Sequence, residues 1–240
     1  MKVDAIIFDK DGTLLDFDAF WISVTVKALE DVFRVLSMDD FHLPEIMEAL
    51  GVHEGVTDVD GALCKGTYEE IGHIVYDVLS RYGCLASRDA VAEMVLKGYN
   101  HSVDAGQILP TCPQLKEVLT SLKEQGKCLA LVTTDNPLIT EKCLRALDIY
   151  PLFDKIYTDD GKTPTKPDPY CAHALCEHFG LDQQAVVMVG DTLTDMRFAK
   201  NAGITAVGLA RTAESKAVLL TMADAVIDNM TQLPDAISSL

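Results

Sequence analysis

Positive charge is scarce in this chain. Lys and Arg total 20 against 37 Asp and Glu, a formal charge of -17. Nucleic-acid phosphates need a basic surface, so the acidic balance argues against nucleic acid as a partner. Long apolar runs are also missing, and a membrane span with them. Met1-Lys2-Val3-Asp4 passes directly into a strand-like run with no signal-peptide pattern, so a cytoplasmic location is expected. None of the seven cysteines forms a C-x-x-C pair. Their odd number and apolar neighbours predict buried, reduced thiols. The patterns H-E-x-x-H, G-x-S-x-G and G-x-G-x-x-G do not occur. Gly161-Lys162-Thr163 ends like a P-loop, but Ile156 stands where that loop needs its first glycine. The histidines show no ligand spacing and read as core or surface residues. There is no internal repeat and no low-complexity segment.

What is present supports a full core, since 48% of the 240 residues are hydrophobic. Residues 3–8 read as a short buried strand. Phe17, Phe20, Trp21, Val24, Ala28, Val32 and Phe33 then recur mostly at spacings of three and four, the stripe of an amphipathic helix. Pro44 and Gly51 bracket a short helix, Thr67 with Glu70 matches a capping box, and a further helix covers about 88 to 103. Leu109-Pro110-Thr111-Cys112-Pro113 marks a boundary, because proline biases the residue before it away from helix. Beyond it strands alternate with helices: Cys128 to Val132, Lys155 to Tyr157, Ala185 to Val189, Ile204 to Gly208 and Ala225 to Ile227 are the strands. Such alternation predicts an α/β fold, a Rossmann-like parallel sheet core that the first strand joins. The expected division is an α/β core domain of residues 1–15 and 106–240 and an inserted all-helical cap domain of residues 16–105.

Polar residues collect at the strand ends, where open parallel sheets bind their ligands. The first strand ends in Asp9, with Asp11 two residues on. The strand at 128–132 runs into Thr133-Thr134-Asp135. That at 185–189 runs into Gly190-Asp191, with Asp195 four residues on, and Lys166 stands in a proline-bracketed loop. Asp9 and Asp11 share a side in extended chain, and Asp191 and Asp195 share a face on a helical turn. Two carboxylates about 4 Å apart repel by roughly 4 kcal/mol at an effective dielectric of 20. A hard divalent cation with oxygen ligands, magnesium above all, converts that repulsion into coordination. Taken singly each motif reads as a turn or helix cap; the four in this order are much harder to explain so.

These segments resemble the four motifs of the haloacid dehalogenase superfamily in its phosphatase branch, most closely the phosphoglycolate-phosphatase-like members. Phe8-Asp9-Lys10-Asp11-Gly12-Thr13-Leu14 is similar to the first, Leu131-Val132-Thr133 to the second and Lys166-Pro167-Asp168-Pro169 to the third. Val189-Gly190-Asp191-Thr192-Leu193-Thr194-Asp195, running into Ala199 to Gly203, is similar to the fourth. The helical insert resembles that branch's C1-type cap. The resemblance implies a phosphatase in which Asp9 is the nucleophile and Asp11 the acid and base. Thr133, with Thr134 beside it, and Lys166 would bind the phosphoryl group. Mg²⁺ would be held by Asp9, the Asp11 carbonyl and Asp191, with Asp195 in support. Lys10 stands where that branch usually has an apolar residue and reads as pointing to solvent.

A cap of this type implies a small phosphorylated metabolite, phosphoglycolate by default, with Trp21 and Lys65 as candidates for selecting it. Packing within the cap is the competing role for Trp21. The rival functions are a phosphomutase of the same construction and a non-catalytic phospho-receiver or binding module.

Overall fold

The computed structural model describes residues 2–58 and 61–240. Strand β1 (Ala5–Phe8) comes first and is fully buried. Next come helices α1 (Phe17–Leu36) and α2 (Leu43–Ala49), strands β2 (Val52–His53) and β3 (Val56–Thr57), and helices α3 (Ala62–Lys65), α4 (Tyr68–Leu79) and α5 (Arg88–Ser102). The rest alternates: α6 (Leu115–Glu124), β4 (Cys128–Val132), α7 (Pro137–Ala146), β5 (Lys155–Tyr157), α8 (Tyr170–Phe179) and β6 (Val186–Gly190). It ends with α9 (Leu193–Ala202), β7 (Thr205–Leu209), α10 (Ala213–Leu219), β8 (Ala225–Ile227) and α11 (Leu233–Ser239). Two compact units result, Met1–Asp16 with Ile108–Leu240, and Phe17–Gln107.

In the second unit α1 buries Phe20, Val24, Ala28, Val32 and Phe33, the stripe that its spacing predicts. A hydrogen bond of 2.7 Å between the Thr25 and Tyr99 hydroxyls links α1 to α5. The capping box of α4 is formed: Glu70 N donates to Thr67 Oγ1 (3.2 Å) and Thr67 N to Glu70 Oε2 (2.7 Å). One addition to the expected all-helical stretch is the antiparallel hairpin of β2 and β3. Its two-residue turn, Glu54-Gly55, has positive φ at both positions (52° and 82°), the twist that suits a tight hairpin. Strands of two residues leave too short an alternation to stand out in sequence.

In the first unit six parallel strands form one sheet in the order β5-β4-β1-β6-β7-β8. β1 lies at its centre, with Phe8 opposite Leu131 of β4 and Val189 of β6. Successive residues point to opposite faces. Ile6, Phe8, Leu129, Leu131, Val187 and Val189 pack on one side with α6 and α11 residues such as Leu119 and Leu233. Ala5, Ile7, Ala130, Val132, Val186 and Met188 pack on the other with Leu175 of α8 and Phe198 of α9. Both faces are covered, which is why these strands read as continuous apolar runs. The chain leaves β1 toward β4 on one side and β6 on the other, so the strand order reverses there and a crevice opens beyond the carboxyl ends. All seven cysteines are free; Cys112, Cys143, Cys171 and Cys176 are buried, and Cys64, Cys84 and Cys128 partly so. Among the described residues no helix is long and apolar enough to cross a membrane.

Candidate active site

Asp9 extends β1 by one residue, its N–H donating to Val189 O at 2.9 Å. The chain then turns sharply. Leu14 N and Leu15 N both donate to Lys10 O (2.8 and 2.9 Å), and Gly12 N donates to Leu15 O (2.8 Å). Gly12 sits at φ 79°, and a Cβ there would lie 2.1 Å from Asp191 Oδ2. Glycine therefore serves twice, giving the turn its left-handed residue and letting the backbone lie against Asp191. Thr13 Oγ1 donates to Asp191 Oδ1 at 3.4 Å.

Asp191 follows directly on β6, and Thr192 caps α9. Asp195, in the first turn of that helix, uses both its oxygens. Oδ2 accepts from Thr192 N (3.0 Å) and Oγ1 (2.7 Å), and Oδ1 accepts from Lys166 Nζ (2.7 Å). The helix can lie this close because a Cβ at Gly190 would fall 2.3 Å from Asp195 Cγ. Lys166 comes from the loop between β5 and α8, ahead of a cis peptide to Pro167. Asn201 Nδ2 donates to Pro167 O at 2.9 Å and ties this loop to the end of α9. The Lys166 ammonium also donates to Asp9 Oδ1, so one buried cation joins Asp9 to Asp195. Thr133 is buried just past β4, its N–H donating to Tyr157 O (3.1 Å) and its Oγ1 accepting from Asp135 N (3.2 Å).

A second lysine-centred cluster lies beside the first. The Lys10 side chain is 0% exposed, and its Nζ lies 3.0 and 2.9 Å from the two oxygens of Asp11 and 2.7 Å from Asp135 Oδ2. This corrects the expectation of a solvent-pointing lysine. A residue flanked by buried strand on one side and a closed turn on the other has no path to water, and two carboxylates receive its charge instead.

Burial has the largest effect on Asp9 and raises its carboxyl; Lys166 pulls it down, Asp195 and Asp11 push it up, and the result is about 7. Burial, then the charges of Asp9 and Asp195, hold the Asp191 carboxyl well above the ordinary range. Burial works against the charge of Lys166, but Asp195 and Asp9 overcome it and raise the ammonium's pKa. Lys10 is raised in the same way, Asp11 and Asp135 outweighing its burial. Five carboxylates, Asp9, Asp11, Asp135, Asp191 and Asp195, surround the two ammoniums of Lys10 and Lys166, so ionising all of them leaves a surplus of negative charge.

That surplus is what a cation would relieve. Asp9, Asp191 and Asp195 each offer an oxygen, and the three atoms lie within 4.8 Å of one another. The donor set is oxygen alone, which fits a hard ion such as Mg²⁺.

Asp9, Lys166, Asp191 and Asp195 thus meet in one cluster, Asp11 stands beside it on Lys10, and Thr133 ends the adjacent strand. Thr134 is exposed at the bend after Thr133. Trp21 and Lys65 belong to the helical unit. Trp21 packs edge-on against Phe20 with ring centroids 5.2 Å apart, and Lys65 is an exposed residue at the end of α3. Sequence reasoning gave no role to Asp135 or to Arg211, whose Nε lies 4.0 Å from Asp191 Oδ2. A lysine inside an otherwise buried segment was the available signal that a carboxylate such as Asp135 must lie opposite.

The family of haloacid dehalogenase-like hydrolases matches residues 3–203. The chain is 26% identical over 204 residues to a phosphoglycolate phosphatase of Aliivibrio fischeri, covering 84% of this chain and 81% of that one. A predicted phosphoglycolate phosphatase from Haemophilus somnus has a similar structure (TM-score 0.72, 21% identity, 99% of both chains). So does the HAD-hydrolase YfnB from Bacillus subtilis, bound to magnesium (TM-score 0.65, 18% identity, 97% of both chains). Identities this low between the structures establish a shared fold.

Proposed function

This chain belongs to the haloacid dehalogenase-like hydrolase family, and from that premise we propose that it is a Mg²⁺-dependent phosphatase acting on a small phosphomonoester through an aspartyl phosphate on Asp9. One observation carries the proposal: Lys166 bonds both Asp9 and Asp195 while Asp191 lies in the same cluster, so three distant segments converge on one strand end. The phosphoglycolate phosphatase relative makes phosphoglycolate the first substrate to test.

In the proposed reaction an Asp9 oxygen attacks phosphorus in line with the departing oxygen, and the bond from phosphorus to that oxygen breaks. Asp11 gives its proton to the departing oxygen. It then takes a proton from the water that attacks the acyl phosphate, which frees inorganic phosphate and restores Asp9. Thr133 Oγ1 hydrogen-bonds the phosphoryl oxygens, with Thr134 at the same bend, and the Lys166 ammonium offsets their charge. Mg²⁺, held by Asp9, the Asp11 carbonyl and Asp191 with Asp195 supporting them, would supply further charge neutralisation at the phosphoryl group.

The test is phosphate release from a panel of monoesters with Mg²⁺ and no bisphosphate activator. Release is expected, strongest for a small anionic ester. Asp9→Asn should fold normally by circular dichroism and turn over less than about one per cent as fast, because an amide cannot form the acyl phosphate. A need for a bisphosphate activator, with phosphate returned to the substrate, would identify a mutase. No release from any ester would leave a binding module as the better reading.

A further inference from the structure

Each aspartate of Asp9-Lys10-Asp11 meets its own ammonium, and each ammonium is anchored by a second carboxylate from another element. Lys166 spans Asp9 and Asp195. Lys10 spans Asp11 and Asp135, touching both oxygens of Asp11 at 3.0 and 2.9 Å and one of Asp135 at 2.7 Å. We propose that Lys10 is a positioning residue for Asp11, fixing its carboxyl where a departing oxygen can collect a proton; this rests on the acid role proposed above for Asp11.

The geometry supports this in three ways. First, contact with both oxygens restrains the side-chain torsions of Asp11 together, which contact with one oxygen would not do. Asp11 lies in a turn, its side chain 19% exposed, and needs such a restraint to keep one orientation. Second, the far end of the bridge is rigid. Asp135 N donates to Thr133 Oγ1 at 3.2 Å and Asp135 O accepts from Asp159 N at 2.9 Å, so Asp135 is tied to the ends of β4 and β5. The path from sheet to Asp11 is therefore short: β4, Asp135, Lys10, Asp11. Third, a fully buried ammonium is not a neutral filler, since its desolvation is tolerated only with charged partners in place. An apolar side chain at position 10 would pack in this core without that cost.

A misplaced general acid has a distinctive kinetic signature. An alkoxide leaves poorly unless protonated, whereas p-nitrophenolate leaves readily without a proton. General-acid catalysis is worth about 10²- to 10⁴-fold, and in kcat/KM, which reports only the steps up to formation of the aspartyl phosphate, that share should be lost for alkyl esters alone. The experiment compares kcat/KM for p-nitrophenyl phosphate with kcat/KM for the best alkyl monoester of the panel. It uses the wild type, Lys10→Met, Asp135→Asn and, as benchmark, Asp11→Asn. In Lys10→Met the alkyl-to-aryl ratio should fall by at least ~10-fold, toward the value of Asp11→Asn. Asp135→Asn keeps the shape but weakens the anchor and should lower the same ratio by about threefold; it carries the test if Lys10→Met does not fold. A ratio within about twofold of wild type would assign Lys10 to packing and overturn the proposal. The crystal structure of the variant decides the point without any turnover. Asp11 should leave its present orientation while Asp9 and Lys166 keep theirs, and an unmoved Asp11 overturns the proposal. Failure of the wild type on every ester would instead sink the phosphatase reading, and the position of Asp11 in the variant would still settle what Lys10 does.

Discussion

Gly12 shows how closely this site is built at the scale of one residue. Its φ of 79° disfavours any side chain, and the space a Cβ would occupy already holds the Asp191 carboxylate. Gly12→Ala should cost about 1–3 kcal/mol in urea denaturation, combining left-handed strain with a displaced neighbour. Phosphatase activity should fall with it, because Asp191 must move. A variant with wild-type stability and turnover would show that Asp191 tolerates displacement. The acidic residues were legible as types at spacings, since Asp9 and Asp191 close apolar runs, with Asp11 two residues beyond the first and Asp195 four beyond the second. The burial of Lys10 was not, because it depends on what lies across from it, and Asp135 is supplied by the bend that follows β4.

Capping shows how an element can serve both stability and site. Thr67 caps α4 and Thr192 caps α9, each with a complete capping box. Replacing either threonine with alanine should cost about 1 kcal/mol of stability, the usual worth of a cap. The two should differ in activity. Glu70, the partner of Thr67, lies in the helical unit and its reciprocal bonds only close a helix end. Asp195, the partner of Thr192, also binds Lys166. Thr192→Ala should therefore lower kcat several-fold while Thr67→Ala leaves it near wild type. Equal activity of the two variants would mean that Asp195 is held well enough by Lys166 alone. Both caps fall where a hydroxyl precedes an acid by three residues, a local signal. That Asp195 has a second task depends on the loop that brings Lys166, which no local pattern reveals.

At the scale of the whole molecule, a site with surplus negative charge should couple metal binding to stability. Mg²⁺ at about a hundred times its Kd adds ~2.7 kcal/mol to any fold that binds it only when native. The melting temperature should thus rise by several degrees with Mg²⁺ and return after chelation, and Asp191→Asn should lose most of the rise. A wild-type Tm indifferent to Mg²⁺ would refute the cation site. The sequence by itself determined the central strands β1, β4 and β6 as unbroken apolar runs, the largely helical stretch from about 16 to 105 and the polar residues at the strand ends. These follow from local periodicity, which the backbone imposes on neighbours along the chain. Only the tertiary structure decided the order β5-β4-β1-β6-β7-β8, the small hairpin of β2 and β3, and the partners of the two buried lysines. Strand order is set by which faces bury together, and a charge can be buried only where another element delivers its counter-charge. Both depend on residues far apart in the chain meeting in space.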